Sequence, residues 1–106
     1  MTDAINEGMH ESWWLATLGR TLVWARLRER EAGTAEVFDS DGNTLSYDSI
    51  DTARATLMDA EFVEFDGLDE DDALERGFSL ADIAPPQGPD DDALRPRMVQ
   101  QLGGRA

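Results

Sequence analysis

Between Thr21 and Tyr47 apolar and polar side chains tend to alternate, and at Ser49 that period of two gives way to spacings of three and four. No other feature restricts the fold of this chain as strongly. In Thr21-Leu-Val-Trp-Ala-Arg-Leu-Arg-Glu29, an extended backbone puts Val23, Ala25 and Leu27 on one side and Leu22, Trp24, Arg26 and Arg28 on the other. Thr34–Asp39 and Thr44–Asp48 are shorter runs of the same kind, joined through Asp41-Gly42, a dipeptide suited to the left-handed backbone of a tight hairpin. The pattern predicts a three-stranded antiparallel meander over residues 21–29, 34–39 and 44–48.

Ile50, Ala53, Leu57 and Met58 then recur at helical spacing, with Asp48 as the expected N-cap, so a helix over 49–60 should lay an apolar stripe on the sheet. Phe62, Val63 and Phe65 fit either a short edge strand or an apolar loop. Asp69 reads as the N-cap of a second, short helix whose first turn is acidic and whose stop is Gly77. The expected class is therefore α+β: a small three-stranded antiparallel meander with one or two helices packed on one face, followed by a disordered or loosely docked C-terminal tail.

At 106 residues the chain is one domain in size. Residues 1–20 form an N-terminal segment in which Trp13-Trp-Leu-Ala-Thr-Leu18 is read as a helix ended by Gly19, an extra strand being the alternative. Residues 21–84 make the compact α+β domain. Residues 85–92, Pro-Pro-Gln-Gly-Pro-Asp-Asp-Asp, read as a solvated linker. In the 93–106 tail Leu94, Met98 and Leu102 are spaced for a short amphipathic helix, marginal alone. Everything after Ala84 is expected to be dispensable for folding.

Several chemistries are excluded by missing residues. With no cysteine there is no disulfide, thiolate nucleophile or Cys-ligated metal, and His10 is the only histidine. Without lysine there is neither a Schiff base nor a phosphate-loop Lys, and no serine lies in a G-x-S-x-G setting. Asp39-Ser-Asp41-Gly-Asn43 begins like a calcium loop but has Thr44 and Ile50 where the EF-hand needs Gly and Glu, so it is read as a turn. Neither an enzyme nor a cofactor or metal site is expected. The N-terminus is acidic and no apolar run approaches the ~18 residues of a membrane span, which points to a cytoplasmic protein with no membrane partner.

Charge carries the functional expectation. Residues 1–32 hold five acids and four bases, 33–92 eighteen acids and two bases, and 93–106 three arginines, which sums to the net −14. Asp59, Glu61, Glu64, Asp66, Asp69, Glu70, Asp71 and Asp72 place eight acids in fourteen residues with no base among them. These eight, together with a Trp24 turned outward beside Arg26 and Arg28, are the expected contact residues of a non-catalytic interaction module, an inhibitor, immunity-type or adaptor protein that binds a basic protein surface. Direct nucleic-acid binding is disfavoured because phosphates would be repelled.

Two alternatives use the same acids. A nucleic-acid mimic would block a DNA-binding protein, but the average surface carries about one net charge per 420 Å² against one per roughly 110 Å² for a duplex, so the eight acids would have to share one face. In a salt-adapted globular protein the acidity would serve solubility alone.

Overall fold

The computed structural model describes residues 9–30 and 32–102. Its centre is an antiparallel sheet. β1 (Met9–Leu18) and β2 (Thr21–Arg30) pair over their full length, and β3 (Ala35–Phe38) and β4 (Thr44–Tyr47) continue the meander. α1 (Ile50–Asp59) follows, then β5 (Val63–Glu64) on the outer edge of β1, α2 (Glu70–Glu75), α3 (Asp91–Leu94) and β6 (Val99–Gln101). The strand order is β4-β3-β2-β1-β5, with β6 on β2. β3 and β6 share one edge of β2, the former beside Arg26–Glu29 and the latter beside Thr21–Val23. The fold is α+β, as the change of period requires, and the predicted meander lies inside this larger sheet.

Alternation along β2 sorts its side chains between two cores. Ala25 and Leu27 join Trp14, Ala35, Val37, Ala53 and Leu57 on the face covered by α1. Leu22 and Trp24 join Leu15, Phe38, Ala73, Phe78, Leu94 and Met98 on the opposite face. The sheet is thus covered on both faces, where the sequence suggested helices on one. The second layer comes from the chain after Leu68, whose apolar residues lie too far apart to announce a face.

Local chemistry explains most element ends. Gly42 (φ 89°) turns the β3–β4 hairpin, and Asp39 Oδ1 accepts from the backbone N–H of Asp41 and of Asn43, each at 3.0 Å. A Cβ on Gly42 would also come within 2.9 Å of Arg95 Nε, so this turn is held against the C-terminal segment. Asp69 caps α2 by accepting from Asp72 N–H, and Gly77 (φ 93°) follows its last turn, both as read. The cap of α1 is Ser49, which accepts from Thr52 N–H at 3.1 Å, where the sequence suggested Asp48. Ser49→Ala is expected to cost about 1 kcal/mol in urea unfolding, and Asp48→Ala much less. Equal costs would contradict the cap assignment.

Two segments depart from the sequence reading. Trp13–Leu18 is strand, part of β1, because Gly19 (φ 61°) closes a tight turn and every residue from Met9 to Leu18 pairs with one from Thr21 to Arg30. Its period of two is hidden because both faces bury apolar side chains: Leu15 enters one core and Trp14 the other. Beyond Ala84, Pro86 is buried, Leu94 is 6 % exposed and Met98 fully enclosed. The short amphipathic helix expected through Leu94, Met98 and Leu102 does not form, since the helical turn ends at Leu94, Pro96 lies in a 3-10 turn (Arg95–Arg97) and the chain then becomes β6. Trp24 N–H donates to Met98 O and Leu102 N–H to Arg20 O, each at 2.8 Å, which extends the β2–β6 ladder. The packed unit therefore continues past the expected boundary at Ala84. The end of the expected tail, 103–106, lies outside the described residues.

Candidate partner-binding surface

The acidic segment begins where α1 ends. Asp59 is in its last turn, and Glu61 takes a left-handed backbone (φ 68°) that redirects the chain, with Phe62 N–H donating back to Leu57 O at 2.9 Å. Val63 and Glu64 then pair with Leu15 and Trp14 at the sheet edge, and the Phe65–Gly67 turn leads into α2 on the other face. The eight acids consequently run from one layer, over the β5 edge, into the other. They form a rim round one end of the sheet.

Three of the eight have internal duties. Glu64 accepts from Arg54 at 3.2 Å, the only ion pair that any of the eight makes among the described residues. Asp69 is the α2 cap, and Glu70 accepts from Ser79 Oγ at 2.9 Å and Leu80 N–H at 3.2 Å, which fixes the chain leaving α2. Asp59, Glu61, Asp66 and Asp71 are exposed, and Asp72 is half-buried.

The arginines of the described chain are largely engaged elsewhere. Arg28 donates to Glu11 at 2.8 Å, Arg30 pairs with Glu36, and Arg26 donates to Asp91 at 2.9 Å with Glu11 at 3.7 Å. Arg76 and Arg97 donate to the carbonyls of Asp72 and Gln87. Arg26, Arg28 and Arg30, the three bases of β2, are thus committed to acids outside the 59–72 segment.

Trp24 does not face a partner. It is fully buried, edge-on to Trp13 and Phe65 with ring centroids 6.1 and 5.5 Å away. The alternation that put Trp24 on the face of Arg26 was correct, but that face is roofed by the C-terminal half. Arg26 is buried with it, 3 % exposed, its guanidinium 5.0 Å over the Phe38 ring and its Nε without a hydrogen-bond partner among the described residues.

Sequence reasoning missed the Glu11–Arg26–Asp91 network, whose one signal was an arginine on the same strand face as Leu22 and Trp24. A recess of about 320 Å³ opens onto it, lined by Glu11, Arg26, Asp91 and Asp90 together with Trp13 and Pro86. With Arg28, which also pairs with Glu11, the network holds two acids and two bases, and it ties the C-terminal segment to the sheet. Among the described residues no group of three or more His, Asp or Glu could hold a metal ion, and no helix is long and apolar enough to cross a membrane. Comparison with protein-family models, curated proteins and solved structures found no match.

Proposed function

We propose that this protein is a non-catalytic interaction module that binds a basic protein through the acidic rim of residues 59–72. The observation that supports this most is the pairing of the arginines: Arg26, Arg28 and Arg30 go to Glu11, Asp91 and Glu36, so seven of the rim's eight acids carry no ion pair among the described residues. Like charges held together in the free protein repel, and a basic partner gains both new attraction and relief of that repulsion. The path of the rim round a sheet edge favours a protein partner over mimicry of a nucleic acid, which calls for one continuous face.

Salt separates this reading from the solubility reading. Far-UV circular dichroism is expected to show a fully folded chain in dilute buffer, unchanged on adding KCl, and immobilised protein should retain a basic partner from host extract at low salt and release it at high salt. Structure that appears only towards molar KCl would favour the salt-adapted protein instead.

A further inference from the structure

β5 is two residues long, whereas the β1 edge it covers continues through Ala16, Thr17 and Leu18. Among the described residues no strand pairs with that stretch on the β5 side. Phe62 cannot extend the ladder, since its N–H is spent on Leu57 O and the preceding Glu61 turns the chain away. At this point, where a longer β5 would have run, a cleft of about 530 Å³ opens between the end of α1 and the end of α2.

Its walls combine two chemistries. Met58, Phe62 and Val63 give it apolar surface, and Glu61 and Glu75 give it carboxylates. Met58 is 55 % exposed, and the chain neighbours of two further wall residues, Leu18 beside Thr17 and Leu74 beside Glu75, are 71 % and 59 % exposed. Three of the five large exposed hydrophobics among the described residues therefore line or adjoin one cleft. Arg76, the cation in its wall, donates to Asp72 O.

We propose that this cleft is the docking slot for an extended segment of the basic partner, which adds a strand along Ala16–Leu18, seats apolar side chains against Met58, Phe62 and Val63, and turns flanking arginines or lysines to Glu61, Glu75 and Asp59. The proposal rests on the acidic-rim reading and gives it a partner chemistry. Main-chain pairing at an open sheet edge supplies affinity, the apolar contacts fix register, and the acids select positive charge. Acids beside an open edge also discourage pairing between two copies of this chain, because each would bring its own negative charge.

The test uses the capped hexapeptide RRVLRR and its equally charged relative RRGGRR on the ¹⁵N-labelled full chain, followed by NMR at low salt. RRVLRR is expected to shift resonances of Thr17, Met58 and Val63, to slow amide exchange within Ala16–Leu18, and to bind about tenfold or more tightly than RRGGRR, the difference that burying two apolar side chains predicts. Met58→Arg should weaken RRVLRR about tenfold, while Leu45→Arg, the same charge change at another exposed hydrophobic on β4, should have little effect. Equal binding of both peptides, with shifts confined to Asp69–Asp72, would overturn the cleft and leave the acidic rim standing. Binding in the cleft that ignores both salt and the rim's acids would keep the strand pairing and apolar contacts but overturn the rim and the acids' part in the slot, and no binding of either peptide overturns both.

Discussion

A chain ending at Gly88 is expected to lose its cooperative thermal transition. Truncation there removes Leu94 and Met98 from the core that holds Leu22 and Trp24, strips β6 from β2, and deletes the Asp91 partner of Arg26. Emptying either apolar site alone costs about 2–5 kcal/mol. The two together approach the 5–15 kcal/mol that stabilises a typical domain, before the buried guanidinium is considered. The shortened chain should show no sharp melting in calorimetry and little dispersion of its amide resonances. If it melts within a few degrees of the full chain, the C-terminal layer is an accessory to the core.

Asp91→Ala is expected to cost about 3 kcal/mol, whereas Arg26→Met at the other end of the same pair should cost far less. The asymmetry follows from burial, since the Arg26 side chain is 3 % exposed and that of Asp91 50 %. Losing Asp91 leaves a cation in a nearly water-free site with only Glu11, 3.7 Å from its Nε, for compensation. Losing Arg26 leaves two half-exposed carboxylates that water can solvate, and methionine refills the space against Phe38. The lower end of the usual penalty for breaking a buried pair applies because Asp91 itself is half solvated. Urea midpoints of the two variants decide the matter. A larger loss for Arg26→Met would show that the guanidinium contributes more through attraction and its contact with the Phe38 ring than its desolvation costs.

The parts of this fold that could be read from the sequence are those whose cause is local. The hairpin at Asp41-Gly42, the helix over 50–59, the cap at Asp69 and the stop at Gly77 each depend on a few adjacent residues. Trp13–Leu18 was misread because a strand buried on both faces loses its alternation, and Trp-Trp-Leu-Ala then fits either period. The C-terminal layer was hidden differently. Pro85 to Asp92 has the composition of a solvated linker, yet Pro86 is buried and Asp91 is held by a guanidinium from β2, contacts that no local pattern encodes. β6, Val-Gln-Gln, has no strand signature and pairs only because β2 offers it an edge.

The candidate surface was legible in the same partial way. Eight clustered acids are plain in the sequence, and so are Arg26 and Arg28 on the strand face of Trp24. That those arginines pair with Glu11 and Asp91, and that the segment wraps a sheet edge, follow from long-range placement. Trp24 was misplaced because an outward position on one strand becomes an inward one once a second layer covers it.

The rim assignment is tested most directly by the association rate of the retained basic partner with two charge-matched triple variants at low ionic strength. Asp59→Asn/Glu61→Gln/Asp71→Asn neutralises rim acids that make no ion pair and cap no helix among the described residues. Asp41→Asn/Asp48→Asn/Asp92→Asn removes the same charge away from the rim, two of its sites flanking β4 at the opposite edge of the sheet. Asp69, Glu70, Glu64 and Asp91 are left intact because each secures the fold. Steering by the rim predicts that the first variant associates clearly more slowly than the second, with the gap closing as the Debye length falls from about 30 Å at 0.01 M to about 8 Å at 0.15 M. Equal slowing of the two would contradict the assignment, since only the total charge of the protein would then matter.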